Sequence, residues 1–101
     1  MLSITTQGLE RARARANEKT RRYVPDDEQR AALVQACETA ILAATRSVWA
    51  ATRVVVARLL EDGTVRPADR SFAMLIAPSI ANEYAMEHAA EARAASAGGV
   101  A

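Results

Sequence analysis

Four cationic side chains, Arg11, Arg15, Lys19 and Arg22, recur at i, i+4, i+8 and i+11. On a helix that spacing puts them on one face, and such a line of positive charge can follow a phosphate backbone. No aromatic residue is interleaved with them and no nucleic-acid motif surrounds them. The preferred reading is a salt-bridging face, turned to solvent or to a neighbouring subunit. An acidic series stands near the other end: Glu83, Glu87 and Glu91 are four residues apart, with His88 beside them. Helical metal sites gather Glu and Glu-x-x-His from several helices. Here the order is reversed, His88 before Glu91, and the middle of the chain adds only Glu38. A solvated acidic face without metal is expected. Cys37 sits among apolar residues with no histidine near it in sequence, which predicts an inert buried thiol. Arg58 falls on an otherwise apolar seam, with Glu83 or Glu87 as candidate partners. Trp49 reads as core or interface rather than a surface that stacks a cofactor. No residue is assigned a catalytic or cofactor-binding role, and the chain reads as non-enzymatic.

The elements that would position these groups follow from composition. The 101 residues suit a single domain, half of them apolar but only four aromatic: Tyr23, Trp49, Phe72 and Tyr84. Alanine supplies much of the apolar content, and alanine favours helix. Net charge is +1 but unevenly spread. Residues 1–24 carry six basic groups against two acidic, net +4; residues 25–66 are net −1 and residues 67–101 net −2. A basic arm on a mildly acidic body can meet an anionic partner or the body of another subunit. One cysteine excludes an internal disulfide and fits a reducing compartment. No signal-peptide-like apolar run begins the chain. Residues 41–60 are largely apolar, yet they include Arg46, Arg53 and Arg58. Each would cost about 2.5–3.5 kcal/mol near a bilayer centre, so a membrane span is rejected. The expected location is the cytoplasm or the interior of a particle.

Along the chain, a basic helix is expected over residues 9–23, within an arm of residues 1–24, and Pro25 stops it. Asp26 is a suitable N-cap, with Gln29 three residues on. No Gly or Pro follows until Gly63, which predicts one continuous helix over residues 27–62. Pro67 suits the first turn of a second long helix over residues 67–97, with a kink or break near Ala77 imposed by Pro78. Gly98 and Gly99 would end it, leaving residues 98–101 as a tail. The expected fold is all-α, one domain over residues 1–101: a long helical hairpin with a short basic N-terminal helix.

A helix over residues 27–62 would be about 54 Å long, against a diameter on the order of 35 Å for a compact domain of this size. It would also be apolar over more than half its circumference, where a surface helix shows a single stripe. Residues Val34, Ile41, Val48 and Val55 form one seam for the returning helix. The row Leu42, Trp49 and Val56 is then left without an internal partner and becomes the expected interface of a helical bundle completed by self-association. The function expected is that of a structural or protein-interaction subunit in a homo-oligomer or larger assembly, such as a viral or bacterial particle component. A second reading is a small phage-type inhibitor or regulator that binds a larger protein or a nucleic-acid-bound complex. A third is nucleic-acid binding through the basic helix.

Overall fold

A computed structural model describes the backbone of residues 2–100 and the side chains of residues 2–96. The described residues contain four α-helices and no strand. Helix α1 spans Thr6–Thr20, α2 Asp27–Ala43, α3 Val48–Glu61 and α4 Ala73–Val100, the last preceded by a 3-10 turn at Arg70–Phe72. The molecule measures 50 × 24 × 20 Å with a radius of gyration of 14.1 Å, longer than the ~13 Å of a compact chain of this size.

Three of the helix starts have a side-chain cap that accepts one of the first free amides. Thr5 Oγ1 accepts from Gly8 N at 3.1 Å, Asp26 Oδ1 from Gln29 N at 2.8 Å and Ser47 Oγ from Ala50 N at 3.2 Å. The cap at Asp26 agrees with the sequence reading. The cap at Ser47 overturns the continuous helix over residues 27–62. At Ala44 the backbone is extended (ψ 129°), and α3 starts afresh at Val48. Thr45 and Ser47 are weak helix formers that compete for backbone hydrogen bonds. Breaking there lets α3 fold back beside α2 and bury Thr52 and Val56, with Val48, Val55 and Leu59 partly covered. Burial of large aliphatic groups, about 1.5–3 kcal/mol each, outweighs the few helical hydrogen bonds lost. The over-apolar stretch is thus covered largely from within the chain.

The second long helix also starts later than expected. Ala68 N donates to Tyr23 O at 2.6 Å and Arg66 N to Gln29 Oε1 at 2.8 Å, which ties the connector to the α1–α2 loop and to the first turn of α2. Asp69 Oδ1 then accepts from Ser71 N and Ser71 Oγ, at 2.9 and 2.8 Å, and opens the 3-10 turn. Residue 67 therefore precedes the helix rather than beginning it. Pro78 lies inside α4 without breaking it. It falls near the start of the helix, where few bonds lie upstream, and Ser79 Oγ donates to Leu75 O at 2.8 Å. Helix α4 also passes Gly98 and Gly99 to reach Val100. Ala101 of the expected tail lies outside the described residues.

The basic arm is not an appendage. Helix α1 buries Gly8, Ala12, Ala16 and Thr20, one residue per turn, and packs chiefly on α4. The stripe is small in volume, which is why it looks thin in sequence, but small side chains let the two helices approach closely. The core beneath comprises Val24, Leu33, Val34, Cys37, Ile41, Val56, Val65, Ile76, Ile80 and Tyr84. Tyr23 and Phe72 stack at 5.4 Å over one end.

Candidate functional sites: an internal ion-pair zipper and an exposed apolar face

Helices α1 and α4 run antiparallel, and the two charged series of the sequence meet along their contact. Arg11 grips Glu87 through Nε and Nη2 at 3.2 and 3.1 Å. Arg15 bridges two carboxylates, donating from Nε to Glu83 Oε2 and from Nη2 to Glu87 Oε1, both at 2.6 Å. Lys19 Nζ meets Glu83 Oε1 at 2.5 Å. Toward the far end, Glu91 Oε1 accepts from Thr5 N at 2.7 Å, and His88 Nδ1 lies 3.1 Å from Ser3 N. Gly8 faces this contact, and a Cβ there would stand 2.8 Å from Glu91 Oε1. A side chain there would push the Glu91 carboxylate and Ile4 aside.

A second cluster ties α1 to α2 and α4. Glu38, 5% exposed, accepts from Arg13 Nε at 3.1 Å, from Arg13 Nη2 at 2.8 Å and from the Tyr84 hydroxyl at 2.6 Å. Arg30 is buried too. Its Nη1 donates to Val24 O and Pro25 O at 3.0 and 3.2 Å and its Nη2 meets Asp27, pinning the α1–α2 loop.

The electrostatics follow from these contacts. Burial works to raise the Glu83 carboxyl, but the bonds from Lys19 and Arg15 outweigh it and hold it below the usual glutamate range. Arg11 foremost, then Arg15, holds Glu87 low as well. The guanidinium groups of Arg11, Arg13 and Arg15 are held charged more firmly by their carboxylate partners. Burial, then the bond to Glu38, pushes the Tyr84 phenol up. Burial alone pushes the Cys37 thiol up to about 12, so it stays protonated and poorly nucleophilic.

The residues singled out by type and spacing sort accordingly once each is placed. Of the cationic face, Arg11, Arg15 and Lys19 are held by the chain's own glutamates, while Arg22 lies over the Tyr23 ring at 5.8 Å. Glu83 and Glu87 are not a solvated face: they are 1% and 6% exposed. Arg58 is exposed and pairs with neither of them. Two series of opposite sign, each at four-residue spacing, were the available signal for this pairing. The Glu38 and Arg30 clusters had none, since nothing local marks a buried charge. Among the described residues, no group of three or more His, Cys, Asp or Glu side chains is arranged to hold a metal ion.

The row Leu42, Trp49 and Val56 does not survive the helix break. Val56 is 4% exposed and belongs to the monomer core, Leu42 is half-buried at the end of α2, and Trp49 is exposed at the start of α3. Phe72 is exposed on the 3-10 turn and Met86 farther along α4, but much of the apolar surface left open lies on α3 and the start of α4. Val54, Met74 and Leu75 stand out there with Trp49, and between the helices runs an open groove of about 500 Å³. Ala50, Arg53, Val54, Ala57, Met74 and Ala77 line it. No helix among the described residues is long and apolar enough to cross a membrane. No family, curated protein or solved structure matches this chain.

Proposed function

We propose that the protein is a non-enzymatic protein-interaction module, a subunit of a helical homo-oligomer or larger assembly, that associates through the outer face of α3 and the first turns of α4. The carrying observation is an apolar groove between α3 and α4 whose lining includes exposed Val54 and Met74, with Trp49 and Leu75 also exposed on the same two helices. Apolar side chains gathered this way mark association surfaces. The charged groups that would serve chemistry or phosphate binding are instead spent inside the fold: Glu38, Glu83 and Glu87 each accept two or more donors. That engagement weighs against nucleic-acid binding through Arg11, Arg15 and Lys19. A bend of α4 at Pro78 would lean its first turns over α3 and shape the groove.

The test is light scattering on the eluting protein, wild type beside Met74→Lys. The reading expects a wild-type mass that is a multiple of the chain mass, and a lysine at Met74, 75% exposed, that lowers it with helicity unchanged. A wild type that elutes as a monomer, or a Met74→Lys oligomer identical to wild type, overturns it.

A further inference from the structure

The charge pattern on α3 bears on what occupies this groove. The helix carries Arg53, Val54, Ala57, Leu60 and Glu61 at i, i+1, i+4, i+7 and i+8, a spacing that keeps them on one side. Arg53, Val54, Ala57 and Glu61 are exposed and Leu60 is half-covered. Neither Arg53 nor Glu61 forms an ion pair within the chain, among the described residues. A foreign acidic or basic helix would satisfy one of the two and repel the other.

An antiparallel copy of the same helix satisfies both. With Ala57 opposite its own image, residue pairs sum to a constant: Arg53 faces Glu61 of the other protomer, Val54 faces Leu60, and the relation repeats in reverse. This is the isologous pattern a two-fold axis demands. Alanine at the crossing point, with Ala50 further along the groove floor, permits close helix approach. Met74 and Ala77 of α4 form the groove's other wall, so each α3 would settle between α3 and α4 of its partner.

We infer that the occupant is a second copy of this chain, docked as a two-fold dimer with α3 antiparallel to its image across Ala57 and sealed by two reciprocal Arg53–Glu61 pairs. The inference rests on the interaction reading above and adds the register.

The experiment is a charge-reversal set on the full chain, Arg53→Glu, Glu61→Arg and the double variant, each with its dimerisation constant measured by sedimentation and its helicity by circular dichroism. Each single reversal places like charges opposite each other twice, and a loss of at least about tenfold in dimer affinity is expected. The double variant restores opposite charges and is expected to recover wild-type affinity to within a few-fold. A mixture of the two single variants is expected to associate, because each supplies the charge the other lacks. Two results separate the inference from its foundation. Dimers indifferent to every reversal but dissociated by Val54→Glu overturn the register and leave the docking face standing. A wild type that stays monomeric, or dimers that Val54→Glu does not affect, overturn both.

Discussion

Glu83 holds Arg15 and Lys19 with separate oxygens while its own side chain is nearly enclosed. Removing its charge leaves Lys19 at the α1–α4 contact without a carboxylate partner and Arg15 with Glu87 alone. Breaking a fully buried pair costs about 3–5 kcal/mol, but Arg15 and Lys19 are roughly half-exposed and water can take over part of the role. A Glu83→Gln variant is therefore expected to lose about 1–3 kcal/mol, read as a lower urea midpoint. The same carboxylates set the acid limit of the fold. Folded-state values of Glu83 and Glu87 are depressed below the ordinary 4.5, so their contribution is complete above the unfolded value. It is lost as pH falls from about 4.5 through the lower folded values. Thermal melts from pH 7 down to 3 are expected to hold a plateau until near 4.5 and then fall. The Glu83→Gln, Glu87→Gln double variant is expected to start lower and to fall less steeply. A double variant with the wild-type slope would remove these two groups from the explanation.

At the scale of elements, α1 changes standing most. In sequence it offers only Leu9, Ala12, Ala14 and Ala16 as apolar groups, too few to look like core. In the fold it covers α4 and neutralises Glu83, Glu87 and, through Arg13, Glu38. Deleting residues 1–24 is expected to abolish cooperative unfolding and much of the helical circular dichroism signal. A truncated chain with intact helicity and a sharp melt would return α1 to the status of an appendage. The break between α2 and α3 admits a smaller test. Ser47→Ala removes the α3 cap, and a loss of about 1 kcal/mol is expected in denaturant melts. These two elements show what was legible beforehand. Helicity, the Asp26 cap, the stops near Pro25 and Gly63 and the burial of Cys37 followed from local residue chemistry. The turn at residues 44–47 did not, because it contains no Gly or Pro. It is decided by how much surface α3 buries on folding back, a property of the whole chain. The interface row failed for the same reason, since Leu42, Trp49 and Val56 align only on an unbroken helix. For the charged groups, the types and spacings were visible, but the partners of Arg11 and Arg15 lay 68 to 76 residues away along the chain.

For the whole molecule, folding disposes of the buried charge internally and leaves exposed apolar side chains on α3 and the start of α4, with Met86 exposed elsewhere on α4. The chain is elongated, 50 Å by little more than 20 Å, and pairing along α3 would double the thin dimension and bury Val54 and Met74 together. The central claim is that this face associates. Sedimentation equilibrium of the wild type across the micromolar range, beside Val54→Glu at matched helicity, tests it most directly. The expected result is a reversible, concentration-dependent rise to twice the chain mass in the wild type and a Val54→Glu variant that stays at the single-chain mass throughout. A wild type that remains at the single-chain mass at every concentration would contradict it.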